Sequence, residues 1–288
     1  MYIWVNQDAN GNIAYAGANI ENPTDPNTDV IFDFGEFAIL PPGANPQGIF
    51  INTTRVDQFG FPLKLEVTGL DGFRQTVGES LTETREELFA KFFAETPAEF
   101  HGLGQPPYGP MRIMAPAHAT FQGEGANASY LDSYVDEVWQ QYANQDLVID
   151  LKNGWAPFTG RVVNGKLRFT DAAGGQYFVH AKPSTSMVML GNGRLDDPTG
   201  TIDVGKQLQL QAQVCAALNR RVAHLPFADW WNGNQFFPQG QRSNAFVKFW
   251  HEHSLNALSY GFAYDDVGGF SPSIHTRAPQ TVTYTIGW

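Results

Sequence analysis

The first 70 residues or so alternate apolar and polar positions in short runs, which is the period of β-strands. The runs are MYIWVN, DVIFDFGEFAIL, GIFINTTRVDQF and PLKLEVTGL, and turns rich in Gly, Asn and Pro separate them. The segment PPGANPQG, between the second and third runs, suits the loop of a β-hairpin. The chain therefore begins as an all-β region.

Beyond this region the apolar period lengthens to that of α-helices. Helices are predicted over GESLTETREELFAKFFAE, where Ser80 and Glu83 would form a capping box, over SYLDSYVDEVWQQYAN, over about Lys206 to Arg221, and from Ser243 onward. Short strands are predicted for DLVIDL, FTGRVV, KLRFTD, QYFVHA and, at the end of the chain, TVTYTIGW.

This order predicts an α+β, mainly β fold with two lobes. Residues 1–72 and 256–288 would form a β-sandwich or barrel lobe from both chain ends, and residues 73–255 would form an inserted mixed α/β lobe. A wide cleft between the lobes is a common place for a ligand.

Composition narrows the choice of partners. Lys and Arg number 18 against 29 Asp and Glu, so the net charge is −11, and no basic run is present. Nucleic acid is therefore not an expected partner, because its binding needs clustered cations. No apolar run approaches the length of a membrane span, so no membrane partner is expected either. Aromatic residues make up 14% of the chain, which suits stacking on sugar rings as well as core packing.

Two carboxylates stand out because each lies in a β-type run among aromatic and β-branched residues. In the run DVIFDFGEFAIL, Glu36 shares a strand face with Phe32, Phe34 and Ala38, since side chains alternate. The carboxylates of Glu36 and Asp57 either point to solvent or form the acid/base pair of a sugar-cleaving enzyme.

In the next strand Phe50, Asn52 and Thr54 share a face, whereas Asp57 has the opposite parity. If all of these residues line one cleft, a bulge or bend must lie between Thr54 and Asp57.

Other clusters favour structural roles. His251-Glu252-His253 lacks the i, i+4 spacing of a helical zinc site, so no metal is expected, although one of these histidines could face the cleft. Asp265-Asp266 lies in GFAYDDVGGF, which is typical of a turn. Cys215, the single cysteine, lies in an apolar-periodic stretch and is expected to be a buried small hydrophobe. No organic cofactor is indicated.

Several runs, in order along nearly the whole chain, resemble glycoside hydrolase family 64, the laminaripentaose-producing β-1,3-glucanases. They are NIENPTDPNTDVIFDFGEFAI, GIFINTTRVDQFGFPLKL, ASYLDSYVDEVWQQYANQDLVIDL, FTGRV followed by KLRFTD, AALNR and LSYGFAYDDV. The first, second and last of these are also similar to thaumatin-like proteins. Where the family usually has Thr two residues after its Glu, this chain has Ala38.

The resemblance implies a thaumatin-like β-barrel lobe beside an α/β lobe, and endo-type hydrolysis of laminarin- or curdlan-type β-1,3-glucan with inversion, releasing laminari-oligosaccharides. It makes Glu36 the general acid, protonated by burial among Phe32, Phe34 and Phe37 or by a nearby carboxylate, and Asp57 the general base. The substrate contacts that it implies are Phe50, Asn52, Thr54, Asp265 and Asp266.

The resemblance also implies a secreted, extracellular protein, although MYIWVNQD lacks the zones of a signal peptide. Two alternatives stay open: a non-catalytic thaumatin-like β-1,3-glucan-binding protein, and a structural protein with a decayed site. The sequence does not indicate an oligomeric state.

Overall fold

The computed structural model describes residues 5–7, 13–15, 20 and 29–288. Its strands are β1 (Val5–Gln7), β2 (Ile13–Tyr15), β3 (Gly35–Leu40), β4 (Gly48–Thr53), β5 (Gln58–Phe59), β6 (Leu63–Gly69), β7 (Arg74–Gly78), β8 (Ile113–Met114), β9 (Leu147–Ile149), β10 (Phe158–Val163), β11 (Lys166–Thr170), β12 (Gln176–Val179), β13 (Ile274–Thr276) and β14 (Pro279–Ile286). Its helices are α1 (Arg85–Glu95), α2 (Ala98–His101), α3 (Asp132–Asn144), α4 (Thr185–Leu190), α5 (Val204–Asn219) and α6 (Ala245–Glu252).

The described strands form five sheets, and no closed barrel is present among them. Two three-stranded sheets have the orders β13-β4-β3 and β14-β6-β7, and a four-stranded sheet has the order β12-β11-β10-β9. Two small sheets pair β1 with β2 and β5 with β8. The mixed α and β content predicted from the sequence is therefore confirmed, with sheets dominating both ends of the chain.

The two three-stranded sheets pack face to face through a small apolar cluster. Ile49 and Ile51 of β4 meet Leu65 and Val67 of β6, and all four side chains are almost fully buried. The alternation along β4 therefore leaves the side chains of its other face available at the molecular surface.

A larger core holds the helices against the remaining strands. It includes Phe92 of α1, Trp139 of α3 and Trp250 of α6, and it also contains Cys215, which is fully buried on α5. Helix α3 packs on β10, and α5 packs on β12. In the described part of the chain, no helix is long and apolar enough to cross a membrane.

Helix α1 begins one turn later than the sequence pattern predicted. The capping box is formed by Thr84, whose hydroxyl accepts from the Glu87 amide at 3.1 Å while the Glu87 carboxylate accepts from the Thr84 amide at 2.8 Å. Ser80 and Glu83 have the same spacing, but the Glu83 carboxylate bonds His253 instead. Two adjacent S/T-x-x-E matches competed, and tertiary contacts selected the second.

Four described strands were not predicted from the sequence, β2, β7, β8 and β13, and two of them extend the sheets that carry the site. Strand β7 pairs antiparallel with β6, and strand β13 pairs antiparallel with β4. The β3–β4 hairpin itself is confirmed, with Leu40 opposite Gly48 at the ends of the predicted loop.

Candidate active site

The open face of the β3–β4–β13 sheet carries the first group of candidate residues. Glu36 lies opposite Asn52, Ala38 lies opposite Phe50, and Phe50 lies opposite His275 on the third strand. The rings of Phe50 and His275 stack with centroids 4.0 Å apart and planes 9° apart. The two rings lie face to face one residue row from Glu36, and Phe50 keeps 36% of its surface exposed.

Asn52 offers a free acceptor on the same face. Its Oδ1 atom is enclosed yet has no hydrogen-bond partner among the described residues. A buried acceptor without a donor is costly, and a ligand hydroxyl would reach this atom only if the Asn52 side chain turned outward.

Glu36 is exposed, which differs from the predicted burial among Phe32, Phe34 and Phe37. Phe37 lies on the opposite face of the strand and is itself 65% exposed. The strand parity was predicted correctly, but β3 is the edge strand of its sheet in the described structure, and edge strands leave more side-chain surface open.

A close approach by β14 fixes the start of the acid-bearing strand. A Cβ atom at Gly35 would lie 2.2 Å from the phenol oxygen of Tyr284, so only glycine fits there. The Tyr284 hydroxyl also donates to the carbonyl of Asn52 at 3.4 Å. Burial and then the charge of Glu36 raise the pKa of Tyr284, which shows that the phenol and this carboxylate are neighbours.

Tyr260 connects Glu36 with the Asp265-Asp266 turn. Burial, followed by the charges of Asp266 and Glu36, raises the pKa of Tyr260 to about 12. Desolvation and then Asp265 raise the pKa of Asp266, although the residue is exposed. The turn therefore brings one open carboxylate, that of Asp266, to the side of the site where Glu36 lies.

The chain bends where the sequence required it to. Strand β4 ends at Thr53, the backbone bends at Val56 and Asp57, and β5 begins at Gln58. The predicted change of direction between Thr54 and Asp57 is therefore confirmed. The side chain of Asp57 is 38% exposed, so its carboxylate is open to solvent.

Asp57 is held by a histidine that sequence reasoning missed. The Nε2 atom of His118 lies 2.7 Å from Asp57 Oδ1, and the His118 side chain is only 12% exposed. The two residues are 61 positions apart, so no local spacing links them. The pairing of β5 with β8 was the one signal that could have placed them together, and β8 is too short to be recognised by its pattern.

A buried arginine, Arg55, holds the bend that precedes Asp57. The Arg55 guanidinium binds both oxygens of Glu79 at 3.1 and 2.8 Å and Asp33 Oδ2 at 2.8 Å. All three side chains are buried. The Arg55 amide also donates to the carbonyl of Tyr260 at 2.8 Å. Since Asp33 precedes Glu36 by three residues and Arg55 precedes Asp57 by two, this cluster ties the two candidate carboxylates to one rigid base.

A second buried cluster corrects the expectation for Asp265. Its carboxylate is fully buried between Arg220, at 3.0 Å, and His251, at 3.0 Å, and it also accepts from the Gly261 amide at 2.9 Å. It cannot touch a ligand at the surface, so it shapes the turn that presents Asp266. His251 is the histidine of the HEH sequence that turns inward.

Thr54 is also corrected from a surface contact to a turn residue. It is 2% exposed, and its hydroxyl accepts from the Val56 amide at 3.3 Å. The strand ends before Thr54, so the alternation that places Phe50 and Asn52 on the open face no longer applies there.

The other histidine of the HEH sequence has carboxylate partners of its own. His253 bonds Glu83 at 2.9 Å and Glu95 at 2.9 Å, while Lys91 pairs with Glu83. Over the described residues, no group of three or more His, Cys, Asp or Glu side chains has the arrangement of a metal site.

Comparison with known proteins gives a consistent result. A family model described as beta-1,3-glucanase, of glycoside hydrolase family 64, matches residues 1–286. The chain is 31% identical over 269 residues to a glucan endo-1,3-beta-glucosidase of Cellulosimicrobium cellulans, covering 91% of this chain and 46% of that protein. It thus spans about half the length of the curated relatives that it matches.

Solved structures give the same match in three dimensions. A β-1,3-glucanase domain from Clostridium beijerinckii superposes with a TM-score of 0.85 at 40% identity, covering all of this chain and 72% of that one. A laminaripentaose-producing β-1,3-glucanase from Paenibacillus barengoltzii, solved in complex with laminarihexaose, has a TM-score of 0.71 at 32% identity, covering all of this chain and 53% of that one.

Proposed function

The chain belongs to the β-1,3-glucanases of glycoside hydrolase family 64, and we propose that it is an inverting, endo-acting hydrolase of laminarin- or curdlan-type β-1,3-glucan. The observation that carries this proposal is the placement of two open carboxylates on the two arms of the β3–β4 hairpin and its continuation. Glu36 lies on the exposed face of β3, and Asp57 lies at the bend that follows β4.

Glu36 acts as the general acid in this proposal. Its carboxyl proton passes to the glycosidic oxygen as the bond from that oxygen to the anomeric carbon breaks. The free protein leaves Glu36 exposed, so the bound glucan itself removes water from the carboxyl group. Loss of water favours the protonated form of a carboxyl group.

Asp57 acts as the general base. It takes a proton from a water molecule whose oxygen attacks the anomeric carbon from the face opposite the departing sugar. The new hemiacetal then has the inverted configuration, Asp57 carries the proton, and Glu36 is ionised until solvent restores both groups. Inversion requires room for that water, so the two carboxyl groups should be about 6.5–9.5 Å apart when substrate is bound.

The open sheet face supplies the sugar contacts. Phe50, beside His275 on this face, gives an apolar contact for a glucosyl ring. The Asn52 side chain and the exposed Asp266 carboxylate bond sugar hydroxyls. These assignments need no cofactor, and β-1,3-glucan is the one partner proposed.

The decisive experiment compares Glu36→Gln and Asp57→Asn with the wild type on linear β-1,3-glucan. Each variant should lower kcat by about 10³-fold, because it removes a group that transfers a proton. Binding of laminarihexaose, measured by calorimetry, should stay within about threefold. Proton NMR of the first product should show the α-anomer, as inversion demands.

Glu86→Gln is the matched control, since it neutralises an exposed carboxylate on α1 and should retain full activity. Binding without release of oligosaccharides by the wild type would favour the non-catalytic glucan-binding protein. Neither binding nor release would favour a decayed site, and a β-anomeric first product would overturn inversion.

Three further features are part of the proposal. The sheets β13-β4-β3 and β14-β6-β7 belong to a thaumatin-like lobe built from residues 1–72 and 256–288, and residues 73–255 form the α/β lobe. Strand β7 lies just beyond the first boundary and pairs with β6, which supports extending that lobe to Gly78. The protein is proposed to act outside the cell, because a glucan polymer is too large to be taken up whole.

A further inference from the structure

We propose that His118 is a positioning residue that fixes which oxygen of Asp57 receives the proton from water. This inference rests on the proposed function and deepens it, since it adds a residue that orients the proposed general base, Asp57. The observation that carries it is the 2.7 Å contact between His118 Nε2 and Asp57 Oδ1.

The backbone holds the two residues in register. The Ala115 amide donates to the carbonyl of Asp57 at 2.9 Å, and Gln58 lies opposite Met114 in the β5–β8 pair. The chain then makes one turn of 3₁₀ helix, Pro116–His118, closed by the His118 amide donating to the Ala115 carbonyl at 3.0 Å. A short pair of strands and a single turn thus place the imidazole beside the carboxylate.

Burial separates this contact from an ordinary surface pair. Exposed ion pairs contribute little, because solvent competes for both partners. Here the imidazole is 12% exposed while the carboxylate is 38% exposed. The histidine is therefore the fixed partner, and the carboxylate is the group that still reaches solvent.

The chemistry gives the contact a specific consequence. An ionised Asp57 can only accept hydrogen bonds, so Nε2 of His118 carries the hydrogen in this contact. That is true of the neutral Nε2–H tautomer and of the imidazolium alike, so the contact does not depend on the charge of the ring. With Oδ1 engaged, Oδ2 is the oxygen left to accept the proton of the attacking water.

A carboxylate held by one oxygen cannot rotate away from the anomeric carbon. Misplacing a reacting group by about 1 Å can cost roughly 100-fold in rate. Removing the imidazole should therefore slow the chemical step and leave sugar binding nearly intact, because the contact that is lost is the one with the general base Asp57.

The test compares His118→Gln with His118→Asn. The Gln amide nitrogen lies near the position of Nε2 and keeps a donor there, whereas the Asn side chain is too short to reach. We expect kcat on laminarihexaose to fall about 10- to 100-fold in His118→Asn and by less than about threefold in His118→Gln. KM should be unchanged in both. The two variants carry the same amide group and differ in its reach, so each is the control for the other.

His180→Leu is the control, since the Nε2 atom of His180, just after β12, bonds the backbone carbonyl of Thr199 at 2.8 Å and not a carboxylate. It should leave kcat unchanged. Introducing His118→Asn into the Asp57→Asn protein should cause no further loss, because a positioning residue acts only through the group that it positions.

Equal loss in both His118 variants, or no loss in either, would overturn the inference. So would a rise in KM at constant kcat, or a full additional loss in the Asp57→Asn background. These results leave the proposed function standing as long as the wild type cleaves the glucan and Asp57→Asn does not. Absence of cleavage by the wild type would instead remove the proposed function.

Discussion

Two buried charge clusters support the candidate active site, and the ratio of cations to anions differs between them. In the first, Arg55 lies between two carboxylates, those of Asp33 and Glu79. In the second, the carboxylate of Asp265 lies between two cationic groups, Arg220 and His251. The first cluster has one cation for two anions, whereas the second has two potential cations for one anion.

The pKa values follow this balance. Burial raises the pKa of Asp33 to about 6 against the attraction of Arg55, and Glu79 adds to the rise. Burial also opposes ionisation of Asp265, yet His251 and Arg220 hold its pKa below the ordinary value. The pKa of His251 is raised in turn, because Asp265 outweighs the burial of the ring. Equal burial thus gives opposite shifts when the number of counter-charges differs.

The comparison also explains how each cluster serves the site. The Arg55 cluster joins the start of β3 to the bend before Asp57, so it sets the spacing of the two carboxylates. The Arg220 cluster only shapes the turn that carries Asp266, which is a proposed sugar contact. Substitutions in the Arg55 cluster should therefore lower the catalytic rate, and substitutions in the Arg220 cluster should weaken glucan binding.

The largest effect is expected from Arg55→Met. It leaves two buried carboxylates without a cation, and breaking such a pair costs about 3–5 kcal/mol in the free energy of unfolding. Urea unfolding at pH 7 measures it. Arg74→Met is the control, since Arg74 pairs with Glu66 at 2.8 Å while being 69% exposed, and it should cost less than about 1 kcal/mol. Similar costs for both variants would show that Arg55 is not essential to the cluster.

An intermediate effect is expected from the pH response of Asp33→Asn. A folded-state pKa of about 6, against an ordinary 3.8, means that this group stabilises the fold fully below about pH 4. That contribution is lost as pH rises to about 6, so the wild type should lose on the order of 2–3 kcal/mol relative to Asp33→Asn across this range. Thermal unfolding at pH 4, 5, 6 and 7 measures the difference. The opposite slope would show that Arg55 already ionises Asp33 at pH 4.

The smallest effect is expected from Phe50→Ala, because neither charge cluster contacts this ring. Loss of the exposed Phe50 ring should weaken laminarihexaose binding about 5- to 10-fold, roughly 1 kcal/mol, when measured by calorimetry in the Glu36→Gln background. The free energy of unfolding should change little. Phe178→Ala is the matched control, since Phe178 also stacks on a histidine, His180, with centroids 5.2 Å apart. Equal weakening of laminarihexaose binding by both variants would show that the Phe50 face is not the sugar-binding surface.

Local patterns predicted what depends on neighbouring residues. Strand alternation placed Phe50 and Asn52 on one face of their strand, and the structure has Glu36 opposite Asn52. A bend before Asp57 was expected if these residues line one cleft, and the bend is present. These features follow from the two-residue repeat of a strand, which the sequence displays directly.

Features that depend on distant partners were not visible in the pattern. Asp265 was expected to contact substrate, but Arg220, which follows α5, and His251 of α6 enclose it. His118 was not recognised at all, since its partner lies 61 residues away. The start of α1 was misplaced by one turn because two equivalent capping sequences stand side by side. In each case a contact across the fold decided the outcome.

The inert environment of Cys215 has a practical consequence. The thiol is fully buried on α5, and burial raises its pKa, so it resists alkylating reagents. As the chain has no other cysteine, a second one introduced at an exposed position such as Ser273 would be the only site for a fluorescent label. A dye there, beside the Phe50–His275 pair, would report the arrival and departure of polymer in real time, without background from the native thiol.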